Sequence, residues 1–274
     1  MTIADKLTQL NTIKQDIKTA INNKGGSVAD NFTTYAAAIT NLPSVVASGT
    51  IVYGKADVVT IEPYDATVKT IGDRDFQSWT HATGLVIGTG FETIESYAFF
   101  NWLNAETLSI PNSITRIKDF AFSQWPKLKT LSLPPNLIEI GASAFQGCTI
   151  ATGKVIIPNS VTILGVGSFN GCAAITEVSV GNGITSIEAS TFNGLTSCLK
   201  VSLSSTITAI NSSGFSNLTA CTEFICLALT PPNLVGSALN GLNSSCVIKV
   251  PSASLTAYQA AANWSAHASK MVGI

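Results

Sequence analysis

Charge is scarce in this sequence of 274 residues, since Asp, Glu, Lys and Arg make up 11% of it against about a quarter in ordinary soluble domains. The net charge is −1 and no stretch concentrates Lys and Arg, which argues against binding to nucleic acid, because that binding depends on clustered cations. No run of about eighteen apolar residues occurs, so no membrane insertion is expected. Residues 1–9 also lack the basic start and apolar run of a secretory signal, so we expect either release without secretion or removal of a signal.

The residues that carry most catalysis and metal binding are few and scattered. The two histidines, His81 and His267, belong to different parts of the chain, and no Gly-x-Ser-x-Gly, phosphate-loop or dinucleotide motif occurs. No Cys-x-x-Cys spacing suggests zinc. We therefore expect no catalytic residues, no metal and no cofactor. A glycan hydrolase is the weakest interpretation, because it would need a pair of carboxylates that the sequence does not place together.

Phenylalanines recur at a nearly constant interval through the middle of the chain. The intervals are 23, 23, 23, 24, 23 and 23 residues, and they separate Phe76, Phe99, Phe122, Phe145, Phe169, Phe192 and Phe215. A fixed period of this length is the signature of a solenoid, in which each repeat buries its apolar side against the next. The sequence therefore predicts stacked repeats over residues 58–250.

Each phenylalanine follows the same phrase, seen for example in residues 108–122, Leu-Ser-Ile-Pro-Asn-Ser-Ile-Thr-Arg-Ile and then Ala-Phe. The alternating start predicts a β-strand with one buried face, and the Pro-Asn step predicts a turn. Apolar residues three apart, such as Ile114 and Ile117, then point inward with the Phe. The predicted fold is a mainly β repeat solenoid with short irregular or helical turns, eight turns and about 40 Å long.

This phrase resembles the BspA-like leucine-rich repeat family over about 200 residues, from about 55 to 265. The segments 144–148, Ala-Phe-Gln-Gly-Cys, and 169–172, Phe-Asn-Gly-Cys, carry the resemblance nearly letter for letter. The resemblance implies a solenoid used in adhesion and protein recognition, without known catalysis.

Two columns of side chains are candidate binding sites. The exposed strand positions form a weakly charged column rich in serine, made of Ser109, Ser132, Ile156, Ser179 and Ser202. This column is either a solvated sheet surface or a docking face where small side chains allow close approach.

Three residues after successive phenylalanines stand Trp79, Trp102 and Trp125, followed by Cys148, Cys172, Leu195 and Leu218. The tryptophans are either a core column, which predicts Trp102 and Trp125 buried and stacked, or a stripe that contacts a ligand.

The six cysteines all lie in the second half of the chain. Cys148 and Cys172, and likewise Cys198 and Cys221, are expected to be neighbours on adjacent turns, near the distance of a disulfide. Reduced, buried thiols acting as small apolar residues are the other interpretation, and the one we favour.

The C-terminal segment, 251–274, is expected to cap the solenoid, because the last repeat would otherwise expose its core. Ser252 and Ser254 are candidate helix N-caps, and Leu255, Tyr258 and Ala262 share one helical face. A Val-Pro step, a Tyr-containing helix and then Trp-Ser is also how BspA-like arrays end, which implies the same role.

The N-terminal segment, residues 1–43, differs from the repeats and predicts α-helix. A heptad stripe breaks at Gly25-Gly26, and its core positions are a candidate oligomer interface made of Ile3, Leu7, Leu10, Lys14, Ile17 and Ile21. The first helix either associates with other copies, for which a trimer is the best single expectation, or folds back on Phe32, Tyr35 and Ile39 of the same chain. Residues 44–57 are expected to be a linker and the entry to the solenoid.

Residues 1–43 also resemble the short segments that precede variable domains in bacteriophage tail and tail-fibre proteins. This resemblance implies a virion component that presents the repeat surface to a host-surface protein or glycan, or to other virion proteins. The alternative is an extracellular or bacterial cell-surface adhesin that binds host matrix or other cells.

Overall fold

The computed structural model of the protein describes residues 44–45, 50–53, 58–63 and 65–274. These residues form a parallel β-solenoid in which each repeat makes one coil. The predicted helix of residues 1–43, and with it the candidate oligomer interface, lies outside the described residues.

Nineteen strands and one short α-helix are described, and the helix carries the label α1. In chain order the strands are β1 Ser44–Val45, β2 Thr50–Tyr53, β3 Val58–Pro63, β4 Thr70–Ile71, β5 Gly84–Ile87, β6 Thr93–Ile94, β7 Thr107–Ser109, β8 Arg116–Ile117, β9 Glu139–Ile140, β10 Gly153–Ile157, β11 Ile163–Leu164, β12 Ile175–Val180, β13 Ser186–Ile187, β14 Lys200–Leu203, β15 Ala209–Ile210, β16 Glu223–Cys226, β17 Asn233–Leu234, β18 Val247–Val250 and β19 Met271–Gly273. Helix α1 spans Leu255–Ala260.

The longer strands build the main sheet of the solenoid. Its first run is β1-β2-β3-β5-β7 and its second is β10-β12-β14-β16-β18-β19, and an isolated parallel bridge between Thr130 and Thr152 lies between the two runs. All pairs from β3 onward are parallel, whereas β1 and β2 enter as antiparallel strands. Counting this bridge as one coil, the described residues contain nine coils rather than the eight predicted. The coil at Thr130 has no full strand.

One repeat is a residue longer than its neighbours, and the main sheet absorbs the difference at Gly153. The strand register shifts between Gly153 and Lys154, and Gly153 has a φ of +103°, which only glycine adopts without strain. Cys148 and Cys172, each three residues after a phenylalanine, are 24 residues apart, whereas Lys154 and its strand partner Glu177 are 23 apart. The extra residue of the 24-residue interval therefore lies between Cys148 and Lys154.

Two-residue strands form a second sheet on another side of each coil. It consists of β4, β6, β8, β9 and β11 in one run and β13, β15 and β17 in the next. The second residue of each strand is a buried Ile or Leu, as the predicted spacing of apolar residues requires: Ile71, Ile94, Ile117, Ile140, Leu164, Ile187, Ile210 and Leu234. This confirms the inward positions that the sequence pattern predicted.

The third side of the solenoid is the phenylalanine wall, which we define as the five residues centred on each repeated phenylalanine. The seven rings are fully buried and stacked, with centroids of neighbouring rings 5.1 to 5.5 Å apart. The backbone N–H of each phenylalanine donates to the carbonyl of the residue before the next one, as Phe122 does to Ala144 at 2.8 Å. The burial of Phe145 confirms the predicted repeat.

The backbone of this wall was not anticipated from the sequence. The residues two before and two after each of the seven phenylalanines have positive φ, for example Phe120 at 56° and Gln124 at 65°. This backbone directs every second N–H group of the wall towards the next coil, so neighbouring coils bond to each other here as they do in the sheets.

The C-terminal cap is less helical than predicted. Helix α1 ends at Ala260, so Ala262 lies outside it, and the turns Ser252–Ser254 and Ser265–Lys270 are 3-10 helices. Ser254 occupies the N-cap position but makes no capping bond, because its hydroxyl donates instead to the Leu229 carbonyl at 2.7 Å. Tyr258 and Trp264 are fully buried, and β19 adds a parallel strand to β18. None of the helices in the described part of the chain is long and apolar enough to cross a bilayer.

The stacked phenylalanines lead to a stability prediction. Replacing Phe145 with Ala removes a fully buried ring between two stacked neighbours, so we expect a loss of about 3–5 kcal/mol in the free energy of unfolding, measured by urea denaturation. Ile156→Ala, at an exposed strand position of the next coil, is the control and is expected to lose less than about 1 kcal/mol. Equal losses in the two variants would contradict the role given to the ring stack.

Candidate functional site

Strand register brings together three of the five residues in the predicted serine column. Ile156 on β10 pairs with Ser179 on β12, which pairs with Ser202 on β14. Ser109 is exposed on β7, and Ser132 is exposed in the coil that lacks a full strand. The column is therefore continuous only from the fifth coil onward, and Ser109 and Ser132 lie apart from it.

These three residues line a shallow groove of about 550 Å³ on the outer face of the main sheet. The serines and Gly181 contribute small side chains to it, whereas Ile156 and Leu227, both largely exposed, contribute apolar bulk. Pro158 completes the apolar lining beside Ile156. No charged residue lines the groove.

The shape of the groove depends on Gly181, in the turn after β12. A Cβ added there would lie 2.6 Å from Asn159 Oδ1 and 2.8 Å from the Ile157 carbonyl oxygen, so no larger residue fits without a shift of the neighbouring coil. Asn159 Oδ1 also accepts the backbone N–H of Asn182 at 2.8 Å, and Ser204 donates to the Gly181 carbonyl at 3.0 Å. Bonds between adjacent coils thus hold this side of the groove in place.

A row of alternating charges borders the groove, two residues before the groove serines. Lys154 contacts Glu177 at 2.8 Å, Lys200 contacts Glu223 at 3.3 Å, and Lys249 contacts Glu223 at 2.7 Å. The hydrogen bond from Lys249, with the charge of Lys200, lowers the pKa of the Glu223 carboxyl below its usual value. Because opposite charges alternate along the row, it balances and gives this face no strong potential of one sign.

The tryptophan column is part of the core, as its first interpretation predicted. Trp102 and Trp125 are fully buried, and their rings are parallel within 3° at 5.2 Å. Each indole N–H donates to the phenylalanine carbonyl of the preceding coil, Trp102 to Phe76 at 2.6 Å and Trp125 to Phe99 at 2.7 Å. These two rings therefore offer no face to a ligand.

The thiols that follow the tryptophans make the same contact. Cys148 Sγ lies 3.6 Å from the Phe122 carbonyl and Cys172 Sγ lies 3.1 Å from the Phe145 carbonyl. A hydrogen-bond donor thus stands at this position in four consecutive coils. The column changes from indole to thiol without losing this bond.

The six cysteines are buried and unbridged. Burial raises the pKa of the Cys198 thiol to about 12, with the nearby Cys221 as the second cause. Cys221 also lies 3.7 Å, sulfur to sulfur, from Cys246, a neighbour that the sequence pairing did not include. Within the described residues no group of three His, Cys, Asp or Glu is arranged to hold a metal ion.

Sequence reasoning missed Gly181, Pro158 and Leu227 as groove residues. A signal was available for Gly181, because Gly181-Asn182-Gly183 stands where earlier repeats have a Pro-containing step. Leu227 gave no signal, because it lines the groove only beside the smaller residues Gly181 and Ser204, which stand at the same position of the two preceding coils.

Comparison with known proteins gives one family match. The profile of the BspA type leucine rich repeat region matches residues 58–155 and 151–231. No curated protein matches the chain.

Several solved structures are similar. A leucine-rich repeat protein from Bacteroides ovatus ATCC 8483 is 19% identical, with 78% of this chain and 73% of that chain covered and a TM-score of 0.55. The leucine-rich repeat protein of T. pallidum is 17% identical, with coverage of 60% and 79% and a TM-score of 0.48. A leucine rich cell surface protein from Faecalibacterium prausnitzii A2-165 is 16% identical, with coverage of 77% and 87% and a TM-score of 0.36. The Bacteroides structure supports the solenoid fold.

The indole contacts yield a second prediction. Trp125→Phe keeps an aromatic ring but removes the donor to the buried Phe99 carbonyl, so we expect the free energy of unfolding to fall by about 1–3 kcal/mol in urea denaturation. Trp79→Phe, at the half-buried end of the same column, is the control and is expected to fall by less. A loss in Trp79→Phe as large as in Trp125→Phe would show that ring size, and not the hydrogen bond, determines the effect.

Proposed function

This chain belongs to the BspA type leucine-rich repeat family, and from that membership and the groove on its main sheet we infer that it is a recognition protein of the bacterial cell surface that binds a partner protein. Families of this kind bind other molecules and do not typically catalyse reactions. The groove is the observation that carries the inference. It combines apolar lining with polar positions on a sheet that the coil-to-coil bonds hold rigid.

The groove has the composition of a protein contact. Ile156 and Leu227, three coils apart, would each contact an apolar side chain of the partner, and the hydroxyls of Ser179 and Ser202 would bind its main chain. Because the groove contains no aromatic ring, it favours a protein segment over a sugar.

The charged row beside the groove would set the position of that segment. Lys154, Glu177, Lys200 and Glu223 alternate in sign along the same strands, so a partner with matching charges would be held in one register. Exposed pairs of this kind contribute little to stability, which leaves them free to serve selectivity.

The virion interpretation is the second candidate, and it depends on residues 1–43. Those residues lie outside the described part of the chain, and the comparisons give no support to their resemblance to phage tail proteins. We therefore place the adhesin first. Assembly through the heptad stripe, with a trimer as the expected form, stays a prediction that sedimentation of the full chain and of a chain beginning at Pro43 would test.

A matched pair of variants tests the groove. Ser179→Arg places a long cation in the groove and should raise the Kd for the partner at least about tenfold, since a buried unpaired charge opposes docking. Ser186→Arg makes the same change in the same coil but on the second sheet, and should leave the Kd unchanged. Binding would be measured by biolayer interferometry against purified host matrix proteins and by adherence to whole cells.

Two outcomes would count against the proposal. One is equal weakening by both variants, which would indicate a general effect of added charge. The other is no binding by the wild-type protein to any matrix protein or cell, with both variants folded.

A further inference from the structure

The outer surface of the phenylalanine wall carries an aromatic cluster that lies outside the groove of the main sheet. It lies at the positions two residues before successive phenylalanines, which hold Arg74, Tyr97, Phe120, Ser143, Gly167, Ser190 and Ser213. Every one of these positions has positive φ. Bulky side chains are rare in this left-handed conformation, and the later coils use only Ser or Gly there. Arg74, Tyr97 and Phe120 are thus the exceptions in the column.

The two aromatic rings form a stack that is open to solvent along its side. Tyr97 and Phe120 have centroids 4.8 Å apart and planes within 8°, and the Arg74 guanidinium carbon lies 4.6 Å from the Tyr97 centroid. Phe100 packs its ring against Tyr97 at 5.5 Å and 72°. All three aromatic residues are only partly buried. We call Arg74, Tyr97, Phe100 and Phe120 the aromatic ledge.

One ring face of the ledge has no ring stacked on it. Tyr97 is covered by Arg74 on one side and Phe120 on the other, but the far side of Phe120 faces the coil of Ser143. The next coil lies about 4.8 Å away, which matches the 4.8 Å between the Tyr97 and Phe120 centroids, and the serine side chain is too short to take the place of a third ring. Gln146 stands three residues after Ser143, at the position that Phe100 has relative to Tyr97, and it is partly exposed. The coil next to the open face therefore offers an amide.

A row of neutral amides continues from this face along the wall. Asn193 Nδ2 donates to Asn170 Oδ1 at 3.1 Å, and Asn217 Nδ2 donates to Asn193 Oδ1 at 3.1 Å. Each amide in the row keeps a second N–H and a second lone pair for another partner. The segments 143–147, 167–171, 190–194 and 213–217 contain no charged residue, in contrast to the main sheet.

An open aromatic face followed by oriented, uncharged amides is the chemistry that recognises a neutral sugar chain. The C–H face of a pyranose ring carries partial positive charge and packs on the negative face of an aromatic ring. Its hydroxyl groups both donate and accept, as Asn and Gln amides do. We propose that the phenylalanine wall binds a neutral oligosaccharide, with one sugar ring stacked on Phe120 and the following sugars along the amide row.

This site is independent of the groove proposed for the partner protein, because it lies on a different wall and shares no residue with it. Anionic glycans are disfavoured, since the four uncharged segments offer them no cation and Arg74 is turned to Tyr97.

Binding to an array of neutral hexose, pentose and N-acetylhexosamine oligosaccharides, followed by calorimetric titration of the best hexasaccharide, tests the proposal. Phe120→Ser gives this coil the residue found at Ser143, Ser190 and Ser213 in the same backbone conformation, and should raise the Kd at least about tenfold. Ser190→Tyr leaves the ledge intact but blocks the amide row in mid-length, and should weaken the hexasaccharide far more than the disaccharide. This second variant keeps the test valid if Phe120→Ser does not fold.

Ser179→Arg in the groove is the control and should bind the hexasaccharide with the wild-type Kd, which separates this site from the protein site. Two results would overturn the proposal. One is that the wild-type protein binds no array member with a Kd below about 1 mM. Alternatively, folded Phe120→Ser and Ser190→Tyr would both retain the wild-type Kd.

Discussion

The distance between neighbouring coils is the constraint on which the rest of this structure depends. Hydrogen bonds hold that distance on all three walls, through parallel strands in both sheets and through the backbone of the phenylalanine wall. Parallel strands set a spacing of about 4.8 Å, which lies within the range of about 4.5–7 Å between the centroids of offset-stacked aromatic rings. The buried phenylalanines therefore stack on one another in every coil that carries them, with centroids 5.1 to 5.5 Å apart.

The same constraint explains why the interior tolerates change in some columns and not in others. Each phenylalanine ring stacks on the ring of the next coil, so a smaller residue would remove a contact from its neighbours. The tryptophan column has a further requirement, because the carbonyl of the preceding phenylalanine needs a donor. An indole provides it from Trp102 and Trp125, and a thiol provides it from Cys148 and Cys172. Substitution therefore keeps hydrogen-bonding capacity through these four coils, whereas Leu195 and Leu218 in the next two coils keep only an apolar side chain.

Much of the fold was predictable from the sequence, because the 23-residue period repeats the inward positions of Phe and Ile. The left-handed residues of the wall were not, since Ser, Tyr and Gln give no sign of positive φ, and the hint lies in Gly147, Gly167, Gly171 and Gly194. The short cap helix and strand β19 were not predicted, because contacts with the last coil determine them.

The candidate groove was predictable only in part. The alternation in the strands predicted Ile156, Ser179 and Ser202 as exposed positions. The depth of the groove depends on Gly181 and Leu227, whose difference in size matters only where their coils lie side by side. The aromatic ledge was not predicted for a similar reason, because its rings come from different coils and meet only when the coils stack.

The phenylalanine wall differs electrically from the two sheets. Alternate backbone N–H groups of the wall donate in one direction, from each coil to the next towards the C-terminus, as those of Phe120, Phe122 and Gln124 do. Strand dipoles in a sheet largely cancel, whereas aligned peptide dipoles add, as they do in a helix. On this side of the solenoid the aligned groups give partial positive charge to the C-terminal end and partial negative charge to the N-terminal end, whereas bonds beside the second sheet, such as Lys118 N–H to the Ile94 carbonyl, point the other way. An anionic group would therefore be stabilised beside the C-terminal end of this wall, and a cationic group beside its N-terminal end.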